Sequence, residues 1–201
     1  MFRVHYPGNK MRTGISCVNS IPEIFSKWVD HHLKTLVESN LLPTYMKDSE
    51  QLQRSLNEAF PNGLPPNARL FSVDAVGMYS NIDTDHGVNV LTRWLTEYRN
   101  ELPPRMPVDF ILESLTQIMK NNIFQFGDTF WRQKRGCAMG TSSAVNYACL
   151  YVGLLEVRRL LPRYKTQLLF FKRFIDDGIG VWPDPPGKPY TWRSVLPALN
   201  N

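Results

Sequence analysis

Three carboxylates stand where a structural role is hard to supply. Asp74 ends the run Phe71-Ser72-Val73, and the adjacent pair Asp176 and Asp177 interrupts a strand-like stretch that runs from Leu168 to Ile175 and resumes from Ile179 to Trp182. Carboxylates packed closely repel one another unless a cation lies between them, and hard oxygen donors suit a divalent ion such as magnesium. Two such ions about 3.5–4 Å apart can activate an attacking hydroxyl and stabilise a departing phosphate oxygen in an in-line displacement. Taken alone, Asp-Asp-Gly is an ordinary polar turn. The chemistry requires other elements to bring Asp74 beside it.

Those elements are legible from caps and periodicity. Ser20-Ile21-Pro22-Glu23 has the pattern of a capping box, and Ile24, Phe25, Trp28, Val29, Leu33, Leu36 and Val37 then recur at helical spacing. His31 and His32 fall on this helix as surface residues. Asp48 with Gln51 predicts a second helix carrying Leu52, Leu56 and Phe60, closed by Pro61, Gly63, Pro65 and Pro66. Leu70 to Val73 predicts a strand. A helix is expected after Asp85, through Val88, Val90, Leu91, Trp94 and Leu95, and another from Pro107 through Phe110, Ile111, Leu115 and Ile118. Ile123–Phe126 and Thr129–Trp131, separated by Gly127 and Asp128, predict a hairpin with a two-residue turn. An apolar helix from about Thr141 to Leu161 follows. A second hairpin is then expected, with Asp176, Asp177 and Gly178 at its tip and a breaker-rich tail of Pro183, Pro185, Pro186, Gly187 and Pro189 beyond it. Helices mixed with antiparallel hairpins make this an α+β chain.

Composition agrees with a folded domain. The 201 residues are 43% hydrophobic and 12% aromatic, which excludes intrinsic disorder. The formal net charge of +5 hides an asymmetry. Between Arg132 and Arg173 there are nine basic residues (Arg132, Lys134, Arg135, Arg158, Arg159, Arg163, Lys165, Lys172, Arg173) and one acid, Glu156, whereas residues 49 to 131 carry ten acids and six bases. Clustered basic residues suit a groove that tracks a phosphate backbone, while charge alone favours the plainer reading of a solvated basic helix face. Cys17, Cys137 and Cys149 match no zinc spacing and no disulfide framework, so a reducing, intracellular setting is the expectation. Met1 to Gly8 hold no apolar h-region and no small-residue cleavage site, so secretion is not expected. Gly136 to Leu155 is uncharged, but Thr141, Ser142, Ser143 and Asn146 within it favour a buried helix over a membrane span.

An acid on a strand, a glycine-containing turn into a helix, and paired acids on a hairpin follow the order of chemistry in polymerase palm domains. Three blocks carry the likeness: Phe71-Ser-Val-Asp-Ala-Val-Gly-Met-Tyr-Ser-Asn-Ile82, Gln133-Lys-Arg-Gly-Cys-Ala-Met-Gly-Thr-Ser-Ser143 and Arg173-Phe-Ile-Asp-Asp177. With Arg3-Val-His-Tyr-Pro-Gly-Asn-Lys-Met-Arg12, Asn19-Ser20 and Lys27-Trp28 upstream, the sequence resembles a reverse transcriptase. The resemblance is greatest to the Penelope-like retroelement group, which is related to telomerase catalytic subunits, and it covers roughly residues 3 to 182. Each block is weak alone, and their conjunction in this order makes the signal strong.

The resemblance implies partial fingers over residues 1–69, a palm with the catalytic motifs over 70–182 and a proline-rich tail over 183–201. It implies an antiparallel sheet packed against helices. The chain ends 24 residues after Asp177 (201 minus 177), too few for the family's thumb, so a truncated fingers-and-palm piece is expected. Asp74, Asp176 and Asp177 would hold two Mg²⁺ ions, or Mn²⁺, for template-directed transfer from a deoxynucleoside triphosphate to a primer 3′-hydroxyl. Tyr79 matches the aromatic that excludes a 2′-hydroxyl. Gly140, and Gly136 less directly, would let backbone approach template or nucleotide, beside Met139, which this group shares. Lys10 and Arg12 would meet the triphosphate. Arg132, Lys134, Arg135 and Lys172 would track an RNA or DNA template with its primer. Phe174 stands where many reverse transcriptases have Tyr, and Tyr6 stands where this group usually has lysine. Nuclear location follows from the resemblance alone. Two other readings share these residues: an inactive nucleic-acid-binding palm remnant, and a palm enzyme that makes RNA.

Overall fold

Caps and breakers set where each element starts and stops. The computed structural model describes residues 2–5, 10–13, 20–185, 187, 188 and 191. In chain order the elements are β1 (Phe2–His5), β2 (Lys10–Thr13), α1 (Ile21–Val37), α2 (Ser49–Ala59), β3 (Ala68–Asp74), α3 (Met78–Asn81), α4 (Thr84–Glu97), α5 (Val108–Lys120), β4 (Ile123–Phe126) and β5 (Thr129–Arg132). They continue with α6 (Ala144–Leu155), a π-helical turn over Glu156–Leu160, α7 (Leu161–Arg163), β6 (Phe170–Phe174) and β7 (Asp177–Pro183). This mixture of helices and antiparallel strands is the α+β class that the sequence implies. The chain forms two compact units, residues 1–35 with 77–148, and residues 36–76 with 149–201.

In the first unit α4 packs on α5. Val88, Leu91, Trp94 and Leu95 on one helix, and Ile111, Leu115, Ile118 and Met119 on the other, lie three or four residues apart and are all buried. Asp83, not Asp85, caps α4: its side chain accepts from the His86 amide at 2.8 Å. Both acids precede the apolar run, but only Asp83 has the extended backbone of a cap, whereas Asp85 lies inside the first turn and pairs with Lys120 at 2.6 Å. β4 and β5 form the expected hairpin about Gly127-Asp128, with Gly127 at φ 59°. Ser26 on α1 is fully buried, its hydroxyl 2.9 Å from that of Ser143 and accepting from the Ser143 amide at 3.0 Å. Asn146 donates to Asp30 at 2.8 Å. The turn that leads into α6 is thereby fastened to α1. His32 is half-buried against Trp28, with rings 4.5 Å apart, so only His31 keeps the surface position expected of both.

The second unit is built on a three-stranded antiparallel sheet in the order β3-β7-β6. Its core groups Phe71, Leu160, Tyr164, Phe171 and Trp182. The hairpin tip differs from expectation: the turn is Ile175-Asp176, while Asp177 and Gly178 belong to β7. The reason is packing. Gly180 lies opposite Phe71 on β3 and Phe171 on β6, and a Cβ there would sit 2.3 Å from Phe71 Cζ. A Cβ on Gly178 would meet Val73 Cγ2 at 2.7 Å and Phe171 Cζ at 3.0 Å. Both glycines therefore make room for neighbouring side chains within a strand, so Gly178 is no turn residue.

Asp48 caps α2 as expected, accepting from the Gln51 amide at 2.8 Å, and Gln51 Oε1 returns to the Lys47 amide at 2.7 Å. The segment after Trp182 is tied to the sheet more firmly than its prolines imply. Asp184 is buried, pairs with Arg69 at 2.7 Å and accepts from the Thr191 amide and hydroxyl at 2.9 and 2.8 Å. Among the described residues, no helix is long and apolar enough to cross a membrane.

Candidate active site

The sheet register brings the predicted acids to one end of one sheet. β3 and β7 pair from Ala68 opposite Pro183 to Asp74 opposite Asp177, which sets these two side chains on the same face with Cβ atoms about 4.5–5.5 Å apart. Asp176 occupies the adjoining turn, and its carbonyl accepts from the Ala75 amide at 2.9 Å. Asp74 and Asp177 are exposed and Asp176 is half-buried.

The turn carries backbone strain. Ile175 has φ 54°, while Asp176 is not among the residues with positive φ, so the two-residue loop follows the II′ pattern, which ordinarily takes glycine first. The β4–β5 hairpin places Gly127 at that position. A β-branched residue there costs about 1–3 kcal/mol and persists only where the surroundings enforce it.

The Ile175 carbonyl accepts from Arg173, one of the nine basic residues between 132 and 173. The structure buries it to 2% exposure. Its Nε donates to Glu156 Oε1 at 2.6 Å, its Nη2 to the Cys149 carbonyl at 3.1 Å, and its Nη1 to the Ile175 carbonyl. Thr44 Oγ1 donates to the other Glu156 oxygen at 2.6 Å, while the Arg173 amide donates to the Thr44 carbonyl at 2.7 Å. Burial acts against the guanidinium charge, but Glu156 outweighs it and holds the pKa above its ordinary value. The signal in the sequence was that Glu156 is the one acid in a basic stretch.

The donor chemistry fits a hard divalent ion. Asp74, Asp176 and Asp177 offer carboxylate oxygens, the ligand type that Mg²⁺ and Mn²⁺ take, and two of them share a ladder position. Among the described residues, no group of three or more His, Cys, Asp or Glu side chains closes into a cage. Mg²⁺ characteristically binds through one or two carboxylates together with substrate phosphates, so a complete protein cage is not required of such a site.

In the other unit, Tyr79 and the turn at 133–140 meet. The Tyr79 carbonyl accepts from the Cys137 amide at 2.7 Å. Gly136 has φ 88°, and a Cβ there would lie 2.9 Å from that same carbonyl and 3.1 Å from Ser80 Cα. Its glycine is therefore demanded by its own chain. Gly140, at φ 101°, is exposed, and Met139 beside it is half-buried. Gln133 holds the turn together: its Nε2 donates to the carbonyls of Arg135 and Cys137, each at 2.9 Å, and its Oε1 accepts from Asn122 at 2.8 Å. Its organising role was not read from the sequence, because all these bonds depend on how the turn folds back on itself and on Asn122.

Of the basic residues, Arg132, Lys134 and Arg135 are exposed, and the first two line a cavity of about 380 Å³ with Lys120, Gln117 and Asn121. Lys172 is half-buried and donates to the Pro43 carbonyl at 2.7 Å. Lys10 and Arg12 lie on β2, opposite His5 and Arg3, and their side chains fall outside what is described, as do Tyr6 and Cys17 entirely. The other two cysteines are free, buried thiols: burial pushes Cys137 up to about 12 and raises Cys149 as well.

The fold that carries these acids is similar to that of solved polymerases. Among solved structures the chain is similar to the apo telomerase of Candida tropicalis truncated from its C-terminal domain. That match has a TM-score of 0.60 and 15% identity over 89% of this chain and 36% of that one. It is also similar to the Candida albicans telomerase in complex with a TWJ fragment of telomeric RNA (TM-score 0.62, 15% identity, 90% of this chain and 32% of that one). A third likeness is to a structure of the RNA polymerase complex inside a dsRNA virus (TM-score 0.55, 11% identity, 95% of this chain and 18% of that one). The chain thus spans about a third of the telomerase chains. No family model and no curated protein matches it.

Proposed function

We propose that the chain is the fingers-and-palm part of a retroelement reverse transcriptase, most like the Penelope-like group, that extends a primer on an RNA template. The observation that carries this reading is the register of β3 on β7, which sets Asp74 opposite Asp177 beside the Asp176 turn in a polymerase-like fold. Asp74, Asp176 and Asp177 would hold the divalent metal ions, Mg²⁺ or Mn²⁺. When bound, such ions supply Lewis acidity toward the primer hydroxyl and the triphosphate. The chain's own residues do the rest. The acid pair at the strand ends fixes where that charge sits, and Tyr79 excludes a ribose 2′-hydroxyl. Gly140, with Met139, gives the nucleotide close approach to backbone, and Lys10 and Arg12 meet its phosphates. Arg132, Lys134, Arg135 and Lys172 contribute sequence-independent contacts to template and primer. Nuclear location, and the division at residues 69/70 and 182/183, belong to the same proposal.

The likeness to a viral RNA polymerase favours one second reading, a palm enzyme that synthesises RNA. One assay separates the two. Primer extension on an RNA template with Mg²⁺ or Mn²⁺ is expected to incorporate deoxynucleotides and to be abolished by Asp176→Asn. Ribonucleotide preference would favour the second reading, template binding without incorporation would favour an inactive remnant, and activity indifferent to Asp176→Asn would remove the site assignment.

A further inference from the structure

The peptide between Ile175 and Asp176 is the unit whose orientation distinguishes one two-residue turn from another. Its carbonyl, that of Ile175, is the group to which Arg173 donates. The guanidinium is not free to wander: Glu156 takes one nitrogen, the Cys149 carbonyl another, and Thr44 holds the remaining Glu156 oxygen. Glu156 itself stands where α6 passes into the π-helical turn Glu156–Leu160, an irregularity that recurs at functional positions. A Cβ on Gly153 would lie 3.4 Å from Arg173 Nη2, so the helix also leaves room for the head group. Ile175 meanwhile sits at a φ that its β-branched side chain resists.

We propose that Arg173, fixed by Glu156, is a positioning residue that locks the Ile175–Asp176 peptide in the II′ turn and so aims the hairpin acids at their metal ion. This rests on the polymerase reading for its metal and nucleotide, but the lock on the turn stands on the hydrogen bonds alone. Arginine is required here because only a planar fork can hold a carboxylate on one edge and two carbonyls on the others. Removing a group that orients ligating carboxylates characteristically costs 10–100-fold in metal affinity or activity.

The test uses the double variant Arg173→Met/Glu156→Gln, which removes both charges together and leaves no unpaired ion in the core. The side-chain amide introduced at position 156 can still accept from Thr44. Three quantities are compared in the full chain: the melting temperature, the HN–Hα coupling constants of Ile175 and Asp176, which report φ on either side of the peptide, and Mn²⁺ affinity from the paramagnetic resonance of the free ion. The expected result is a folded protein in which the coupling constant of Asp176, of Ile175 or of both leaves its wild-type value and whose Mn²⁺ affinity falls about tenfold or more. Adding Ile175→Gly, which accepts positive φ without help, should restore most of that affinity. Coupling constants unchanged at both Ile175 and Asp176 overturn the proposal. So does unchanged Mn²⁺ affinity with an altered turn, or a loss that Ile175→Gly does not repair, because each reduces Arg173 to a packing role. A wild-type chain that binds no Mn²⁺ but whose turn still relaxes in the double variant fails the polymerase reading while sustaining the lock. A double variant that does not fold is replaced by Arg173→Lys, which keeps the charge and loses the fork, with the same expectations and the same refutations.

Discussion

A single methyl group at Gly180 probes whether aromatic packing sets the spacing of the acid-bearing strands. Built on the observed backbone, the Cβ of a Gly180→Ala chain would lie 2.3 Å from Phe71 Cζ, 2.6 Å from Phe71 Cε1 and 3.0 Å from the Phe170 carbonyl oxygen. Carbon pairs prefer about 3.5–4.0 Å, so the ring would have to retreat by about 1 Å or more. It has little space for this, since Phe71 is 4% exposed and packs with Leu160, Tyr164, Phe171 and Trp182. Overpacking of this kind costs about 2–3 kcal/mol, offset by the roughly 0.5–1 kcal/mol that alanine gains over glycine within a strand. The net expectation is about 1–2.5 kcal/mol, a fall in melting temperature of about 2–10 °C for a chain of this size. Thermal unfolding followed by circular dichroism reads it directly. The same substitution in a Phe71→Leu background meets neither ring atom and keeps only the 3.0 Å approach to the Phe170 carbonyl, which the alanine gain offsets, so it should cost close to nothing and give a coupling energy of about 1–2.5 kcal/mol in a double-mutant cycle. Equal costs in the two backgrounds, or no cost in the wild type, would show that the Phe71 ring does not set the strand spacing. Because Phe71 is three residues before Asp74 on the same strand, Gly180→Ala should also lower any metal-dependent activity.

Two further outcomes follow from the other unit. Gly136→Ala combines a positive φ with a Cβ 2.9 Å from the Tyr79 carbonyl, and backbone cannot step aside as a side-chain tip can. A loss of at least about 2 kcal/mol is expected by denaturant titration, with weakened discrimination against ribonucleotides, and a neutral substitution would contradict the contact. Cys137 keeps its proton in the folded chain up to about 12, against an ordinary value of 9.0, because burial penalises the thiolate. The folded state therefore binds more protons than the unfolded state between those values. Stability should be full below pH 9 and decline above it, by at most about 1.4 kcal/mol per pH unit from this group, and a Cys137→Ala chain should show a shallower alkaline decline in melting temperature.

What was legible in the sequence was whatever depends on neighbours along the chain. Asp48 with Gln51, the Gly127-Asp128 turn and the apolar faces of α4 and α5 follow from local rules, and the structure repeats them. The hairpin at the acids was misplaced because Gly178 has the residue type of a turn but answers to Phe171 and Val73 across the sheet. Ile175 at the first turn position contradicts every local preference and is explained by Arg173, whose partners Glu156, Cys149 and Thr44 come from other segments. For the same reason a count of charges along the chain does not show that Arg173 and Glu156 pair with each other in the core. Setting that pair aside leaves the net excess of positive charge between 132 and 173 unchanged at eight (nine minus one, or eight minus none).

On the proposed function, Asp74 and the hairpin acids serve one templated transfer. The most direct measurement offers a radiolabelled DNA primer on an RNA template to the purified chain with Mg²⁺ and one deoxynucleotide at a time. Extension by the complementary deoxynucleotide alone, lost in Asp74→Asn while that variant keeps the wild-type melting temperature, is the predicted result. Extension that ignores the template, or that survives Asp74→Asn, would contradict it.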